Sequence, residues 1–187
     1  MSTTDRPTSQ ELEHQLHTLI RDIPNFPKPG VMFKDITPLL ADHGAFSAVV
    51  GALAHAGRDA EGNVVVDKVV GMEARGFILG APVALALGTG FVPVRKAGKL
   101  PGPTHAAAYA LEYGEAVLEI QHDAIVEGDR VLMVDDVLAT GGTVAATAAL
   151  IERSGGIVTG VAVLMELSFL PGRETIGAVP LTVLMTV

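Results

Sequence analysis

The chain has 187 residues, of which 49% are hydrophobic and 18% charged, enough apolar content for one domain with a substantial core. The formal net charge of −8 argues against a protein that holds nucleic acid on a broad basic face, and the absence of cysteine excludes disulfides, thiolate metal sites and thiol nucleophiles. The polar N-terminus lacks a signal-peptide pattern, so we expect a cytoplasmic location.

The first elements in chain order are predicted from apolar spacing and from prolines. Residues 8–20 carry leucine and isoleucine at helical spacing, which predicts a helix. Three prolines within residues 23–30 prevent that helix from continuing. A second helix is predicted over residues 45–56, and a buried strand over residues 64–71.

Residues 76–94 carry no charge and are about as long as a membrane-spanning helix. The Gly-Thr-Gly sequence at residues 88–90 interrupts a helix, and Pro93 excludes a simple helical end. We therefore predict a buried helix over residues 77–87 and a buried strand over residues 91–94, with no membrane partner.

The second half of the chain alternates strands and helices. Residues 95–104 are basic and rich in glycine and proline, which predicts a mobile loop. Alternating segments at 108–111 and 117–120 predict an antiparallel pair. Apolar strands are predicted at 131–134, 157–165 and 181–185, and a helix at 144–153. The alternation indicates an α/β fold with a mainly parallel sheet.

The most informative segment is VLMVDDVLATGGT at residues 131–143, where an apolar strand leads through two acids and a turn into a helix. Ligands of open parallel sheets bind at the carboxyl ends of strands, where Asp135 and Asp136 lie. The helix N-terminus offers free amide groups and a favourable dipole for a phosphate. The predicted phosphate loop comprises Ala139, Thr140, Gly141, Gly142 and Thr143.

Other phosphate-binding motifs fit this segment less well. A P-loop needs a lysine before its Ser or Thr, and a dinucleotide loop has its own glycine pattern. Two carboxylates beside a phosphate loop suit a ribose phosphate, because they accept hydrogen bonds from the 2- and 3-hydroxyls. Two alternatives remain open on this motif alone: the acids cap the turn, or they form the acidic pocket of a receiver domain.

The segment resembles the phosphoribosyl-diphosphate signature of the type I phosphoribosyltransferases. Further segments are similar to the adenine-specific members of that family: IPNFPKPGVMFKDITPLL at 23–40, EARGF at 73–77, VPVRKAGKLP at 92–101, LEYG at 111–114 and GR at 172–173. The resemblance implies one phosphoribosyltransferase domain over residues 1–187. Its central, mainly parallel sheet is flanked by helices in an α/β core over 41–187, with a mobile catalytic loop and a small N-terminal hood over 1–40.

The resemblance also implies an activity and its partners. The family transfers ribose 5-phosphate from phosphoribosyl diphosphate to N9 of adenine, yielding AMP and diphosphate in purine salvage. Mg²⁺ is required, and we expect substrate and water to hold it, with no ligand from the protein. A homodimer is implied, and no nucleic-acid partner.

Site residues follow from the same matches, segment by segment. For the ribose hydroxyls the resemblance implies Asp135 and Asp136, and for the 5-phosphate residues 139–143. The remaining implied residues are Glu73, Ala74, Arg75, Arg95, Lys96 and Lys99 for diphosphate, with Arg75 and Lys96 catalytic; Met32, Phe33 and Lys34 for adenine; Glu112 for assisting loss of the N9 proton; and Tyr113 for closing the site. The family commonly has arginine at Lys34, and lysine lacks its planar fork.

Plainer interpretations of these residues remain open. The basic residues near 95–99 fit an ordinary solvated loop, Phe33 fits a core position, and Glu112 with Tyr113 fits a half-exposed strand pair. The six histidines show no metal-ligand spacing. Two other functions also remain: transfer to hypoxanthine, guanine or xanthine, and a regulator that senses phosphoribosyl diphosphate and binds nucleic acid.

Overall fold

The computed structural model describes residues 9–110 and 115–187. The chain forms two compact units, Met1–Gly51 and Ala52–Val187. The single domain over residues 1–187, with a hood over residues 1–40 and a core over residues 41–187, stays a prediction.

Within residues 9–51, the first unit shows two short strands and three helices. Its elements are α1 (Ser9–Leu19), β1 (Arg21–Pro24), β2 (Met32–Asp35), α2 (Thr37–Ala41) and α3 (His43–Ala54), whose last residues belong to the second unit. The predicted first helix is confirmed, and its apolar residues Leu12 and Leu16 are buried. The strands β1 and β2 pair antiparallel, with Arg21 opposite Asp35, and the sequence analysis did not predict this hairpin.

The second unit is built on a seven-stranded sheet in the order β5-β6-β4-β3-β7-β8-β9. The strands from β4 through β3, β7 and β8 to β9 are parallel, and β5 and β6 add an antiparallel edge. Their bounds are β3 Lys68–Met72, β4 Gly90–Lys96, β5 Thr104–Ala110, β6 Glu115–Gln121, β7 Arg130–Leu138, β8 Ile157–Glu166 and β9 Leu181–Thr186. The α/β fold with a mainly parallel sheet is confirmed.

Among the described residues of the second unit, three helices connect the strands: α4 (Arg75–Leu87), α5 (Gly142–Arg153) and α6 (Gly172–Ile176). A short 3-10 turn (His55–Gly57) precedes β3. Residues 76–94 form α4 and β4 in place of one long helix. Among residues 9–110 and 115–187, no helix has the length and apolarity needed to cross a membrane. Residues Met133, Leu150 and Val163 are fully buried in the hydrophobic core between the sheet and its helices.

Two features fix how β7 is placed in the sheet. At its start, Asp67 accepts hydrogen bonds from the backbone N–H of Arg130 and from Nε and Nη2 of its guanidinium, each at 2.9 Å. Further along, the pairing of β7 with β8 shifts register between Val131 and Leu132, where Thr159 is an extra residue in β8. The Thr159 hydroxyl donates to the carbonyl of Val131 at 2.9 Å.

Candidate active site

A cavity of about 280 Å³ opens where the carboxyl ends of two adjacent parallel strands meet, β3 and β7. This is the edge at which open α/β sheets bind ligands. The residues that follow β3 form one side of the cavity, and the end of β7 with the start of α5 forms the other. The lining comprises Glu73, Ala74, Arg75, Asp135, Asp136, Val137, Leu138, Ala139, Thr140, Gly141, Thr143 and Val144.

The two acids at the end of β7 are buried, with 8% of Asp135 and 3% of Asp136 exposed. Burial raises the pKa of Asp135 well above its ordinary value, and the neighbouring charge of Asp136 adds to that rise. The backbone N–H of Asp136 donates to Asp135 Oδ1 at 2.9 Å. Burial also raises the pKa of Asp136. A buried acid pair of this kind is typical of a functional site, because a core gains no stability from it.

Arg75 brings a positive charge to this pair from the first turn of α4. Its Nη2 lies 3.0 Å from Asp136 Oδ2, an ion pair that opposes the rise in the Asp136 pKa. The helix can approach β7 closely because its second residue is Gly76. A Cβ there would lie 2.8 Å from the carbonyl oxygen of Val134 and 3.0 Å from Asp135 Oδ1. Glycine at this position therefore places the arginine beside the acids.

The phosphate loop, residues 139–143, joins β7 to α5 across the cavity floor. Gly141 precedes α5 with φ of +82°, a left-handed conformation that favours glycine. No side chain caps the amide groups of this helix start, and Thr140 and Thr143 add hydroxyl donors to the lining. Amides that lack a capping side chain, together with the helix dipole, suit a phosphate group.

Glu73 joins the end of β3 to the end of β4. Its Oε2 accepts a hydrogen bond from the backbone N–H of Lys96 at 2.9 Å and lies 3.3 Å from Nε of Arg95. The bond from the Lys96 amide is the main cause that lowers the pKa of Glu73, and Arg95 lowers it further. The Glu73–Ala74 peptide bond is cis. The carboxylate of Glu73 thus holds Arg95 beside the cavity.

Known proteins match this chain over most of its length. The family model described as the phosphoribosyl transferase domain matches residues 39–172. An adenine phosphoribosyltransferase from a Nocardioides species is 70% identical over 90% of this chain and 91% of its own length. The chain belongs to the adenine phosphoribosyltransferases.

Solved structures of adenine phosphoribosyltransferases share the fold along nearly the whole chain. The enzyme from Rhodothermus marinus superposes with a TM-score of 0.88 at 48% identity and covers 94% of this chain and 98% of its own. The enzyme from Saccharomyces cerevisiae, solved with an iminoaltritol bisphosphate and adenine, has a TM-score of 0.88 at 41% identity and covers 94% and 99%. The likeness therefore extends to both compact units of this phosphoribosyltransferase.

Most of the residues that the sequence analysis assigned to phosphoribosyl and diphosphate lie together at the cavity. The cavity wall includes residues 73–75, the two acids and the phosphate loop apart from Gly142. Gly142 lies inside that loop but does not line the cavity. The predicted mobile loop over residues 95–104 is only partly a loop, because β4 continues through Lys96. Lys99 lies on the turn after β4, and its carbonyl accepts from Arg95 Nη1 at 3.2 Å.

The predicted adenine residues lie on β2, in the first unit. Lys34 forms an ion pair with Asp22 across the hairpin, with 2.6 Å between Nζ and Oδ1. Phe33 is half-buried and meets Phe26 edge to face, with ring centroids 5.1 Å apart. Met32 is half exposed. The other two predicted residues of the site, Glu112 and Tyr113, lie outside the described residues.

Sequence reasoning missed the short helix α6 beside the phosphate loop. Gly172 lies so close to the loop that a Cβ there would be 2.5 Å from the carbonyl oxygen of Ala139. Arg173, next to it, forms an ion pair with the buried Glu166 at the end of β8. The Gly-Arg sequence was part of the family resemblance, but its spacing gave no indication of the partner.

The donors at the cavity fit Mg²⁺ only as an ion held largely by other oxygens. Asp135 and Asp136 offer hard carboxylate oxygens, but Arg75 already neutralises part of that charge. In the described part of the chain, no three His, Asp or Glu residues cluster as a metal site. The residues present thus suit a Mg²⁺ ion that contacts one or two carboxylates and otherwise binds substrate and water.

Proposed function

We propose that this adenine phosphoribosyltransferase joins C1 of 5-phospho-α-D-ribose 1-diphosphate to N9 of adenine and releases diphosphate, forming AMP. The C1–oxygen bond to diphosphate breaks, the C1–N9 bond forms, and N9 loses its proton. The observation that carries this proposal is the single cavity in which a buried acid pair adjoins the start of α5. That combination suits a sugar with a terminal phosphate.

The ribose 5-phosphate occupies the β7 side of the cavity. Residues 139–143 bind the 5-phosphate through amide groups and threonine hydroxyls. Asp135 and Asp136 accept hydrogen bonds from the 2- and 3-hydroxyls, and their negative charge stabilises the positive charge that develops on the sugar. Because both acids are buried, these interactions act where water screens them little.

The leaving diphosphate occupies the β3 side, near residues 73–75. Arg75 lines the cavity on this side, Arg95 is paired with the lining residue Glu73, and Lys96 and Lys99 follow Arg95 along the chain. These cations stabilise the negative charge that builds on the leaving group. Mg²⁺, when bound, supplies further positive charge against the diphosphate oxygens.

Adenine recognition belongs to β2 and to the segment that follows β5. Phe33 stacks on the purine, with Met32 and Lys34 beside it. Glu112 receives the N9 proton directly or through a water, and Tyr113 helps to exclude bulk water during the reaction. The ion pair of Lys34 with Asp22 supports a role for Lys34 in shaping the hairpin more than in contacting the base through a fork of donors.

A homodimer is the assembly that the surface of α4 supports. This helix carries no charge after Arg75, yet Ile78 is 44% exposed and Leu85 is 82% exposed. The two side chains are seven residues apart and therefore lie on one face of the helix. Apolar side chains grouped on a helix face are typical of an association surface, and a second copy of the chain is the occupant that we propose. A cytoplasmic location and the absence of a nucleic-acid partner stay predictions.

The test is turnover of purified protein with phosphoribosyl diphosphate, Mg²⁺ and each purine base in turn. We expect adenine to be converted to AMP with a kcat/KM far above those of hypoxanthine, guanine and xanthine. Faster turnover of guanine or hypoxanthine would contradict adenine as the substrate. No turnover of any base would contradict the proposed phosphoribosyltransferase activity. A crystal soaked with AMP should show its phosphate at the phosphate loop and its ribose at the two aspartates.

A further inference from the structure

The helix α6 touches the phosphate loop backbone to backbone. A Cβ on Gly172 would lie 2.5 Å from the carbonyl oxygen of Ala139 and 2.9 Å from Cγ of Leu138. A Cβ on Gly141 would lie 2.8 Å from the carbonyl oxygen of Gly172 and 2.7 Å from Cβ of Thr175. Because the glycine backbones of the two segments pack against each other this closely, a shift of α6 moves directly against residues 139–141.

A helix of five residues is too short to be stable by its own hydrogen bonds. Ile176 anchors the end of α6 in the hydrophobic core, and Arg173 attaches its start through two bonds to one carboxylate. Its Nε lies 2.7 Å from Glu166 Oε1, and its Nη2 donates to Oε2 at 2.7 Å. The carboxylate is only 7% exposed, so it has little water to replace the guanidinium. Two parallel bonds also fix the direction of the arginine and hence of α6.

Glu166 is itself held in register with the loop. It is the last residue of β8, where it pairs with Leu138 at the end of β7. The next backbone amide, of Leu167, donates to the carbonyl of Leu138 at 3.0 Å. The ion pair therefore connects α6 to the same strand end from which the phosphate loop begins.

We propose that Arg173 is a positioning residue for the 5-phosphate site. Through its two bonds to Glu166 it holds α6 against residues 139–141, and α6 keeps the loop amides directed at the phosphate. Arg173 contacts no reacting atom in this scheme. The inference rests on the proposed function, since it assigns the 5-phosphate to this loop.

The ion pair of Asp67 with Arg130 provides a matched control. It also joins both oxygens of one carboxylate to Nε and Nη2 of a guanidinium, with contacts of 2.9 Å. It lies at the start of β7, five residues before Asp135, or roughly 17 Å away along an extended strand. Loss of this pair should lower stability without changing the phosphate loop.

The experiment compares Arg173→Gln with Arg130→Gln in the full chain. Steady-state kinetics give KM for phosphoribosyl diphosphate, KM for adenine and kcat. Calorimetry with ribose 5-phosphate alone gives a dissociation constant that does not depend on adenine or turnover. We expect Arg173→Gln to raise KM for phosphoribosyl diphosphate and Kd for ribose 5-phosphate about 10-fold or more, since small misplacements in a site are costly. KM for adenine should change much less, and Arg130→Gln should change none of these values.

Two milder variants keep the test decisive if Arg173→Gln does not fold. Arg173→Lys retains the charge but loses the second bond, so its rise in Kd should be intermediate. Glu166→Gln leaves no unpaired buried charge and should raise Kd in the same direction. Wild-type affinity for ribose 5-phosphate in both variants would overturn the proposal, as would equal rises in both KM values. An inactive wild-type enzyme would instead contradict the proposed function.

Discussion

Replacing Asp135 by asparagine should separate the stability of the fold from its activity. In the folded protein the Asp135 carboxyl is 8% exposed, and burial and Asp136 raise its pKa. A group whose pKa is raised on folding favours the folded state most at low pH, and this contribution is lost as pH rises through its folded pKa. The raised pKa of Asp135 thus makes the fold less stable at neutral pH than an uncharged side chain would, and asparagine should raise the melting temperature there.

The expected loss of activity follows from what the carboxylate would hold. A hydrogen bond from a ribose hydroxyl to a charged group contributes about 1.5–3 kcal/mol, and the same bond to a neutral amide contributes about 0.5–1.5 kcal/mol. Loss of the difference, about 1–1.5 kcal/mol in the transition state, corresponds to a fall in kcat/KM of roughly 5- to 13-fold. The backbone N–H of Asp136 donates to Oδ1 of Asp135 at 2.9 Å, and the side-chain oxygen of an asparagine can accept the same bond. The strand end should therefore keep its conformation in the variant.

The assay pairs kcat/KM for phosphoribosyl diphosphate with thermal unfolding at pH 4 and pH 7. We expect the variant to be slower at neutral pH, and its gain in melting temperature over the wild type to be larger at pH 7 than at pH 4. Asp123→Asn, the same change at an exposed turn residue, should alter neither quantity. Unchanged turnover in Asp135→Asn would remove ribose recognition from this residue. A lower melting temperature at pH 7 would refute the electrostatic reasoning.

Three further outcomes are expected. Leu85→Glu should lower the mass measured by light scattering from that of a dimer, twice 19.4 kDa, to that of a monomer. Val126 is 64% exposed on a turn, and Val126→Glu should leave the dimer mass unchanged. A wild type that is already monomeric contradicts the dimer. Gly76→Ala should lower the free energy of unfolding in urea by about 1–3 kcal/mol, because its Cβ meets a β7 carbonyl oxygen at 2.8 Å. Gly51 lies inside α3, and a Cβ there would have no atom within 4 Å. Gly51→Ala should therefore raise the free energy of unfolding by about 0.5–1 kcal/mol. Hydrogen bonds from Arg130 lower the pKa of Asp67 to about 2. Ionised Asp67 therefore stabilises the fold above about pH 4, and this stabilisation is lost as the pH falls toward 2. Melting curves of Asp67→Asn and the wild type should therefore differ at pH 7 and converge near pH 2.

The part of the site that sequence predicts well is contiguous in the chain. Residues 131–143 contain the strand, the acids, the turn and the helix start in one segment, so local patterns place them together. The predicted antiparallel pair near 108–111 and 117–120 is confirmed in β5 and β6, apart from Leu111, which lies outside the described residues. Alternation of apolar and polar residues is a local signal of the same kind.

Relations between distant residues were beyond sequence reasoning. Glu73 meets the Lys96 amide across 23 positions, and neither residue type indicates that bond. Gly76 and Gly172 are required by close approach to other segments, whereas glycine in a sequence first suggests a turn. The start of β3 was placed four residues early because Val64 and its neighbours are apolar, although the strand begins at Lys68. Tertiary contacts, not local preference, decide these features.

The extra residue Thr159 makes the site tolerant of a deletion far from it in sequence. Deleting Thr159 would make the pairing of β7 with β8 continuous, with Val158 opposite Val131 and Gly160 opposite Leu132, so every side chain beyond it would keep its face of the sheet. The carboxylate of Glu166 would then still lie beside the end of β7 and α6, and the wall behind the phosphate loop would keep its support. Loss of this one residue near the base of the sheet should thus harm this enzyme less than most substitutions inside its cavity.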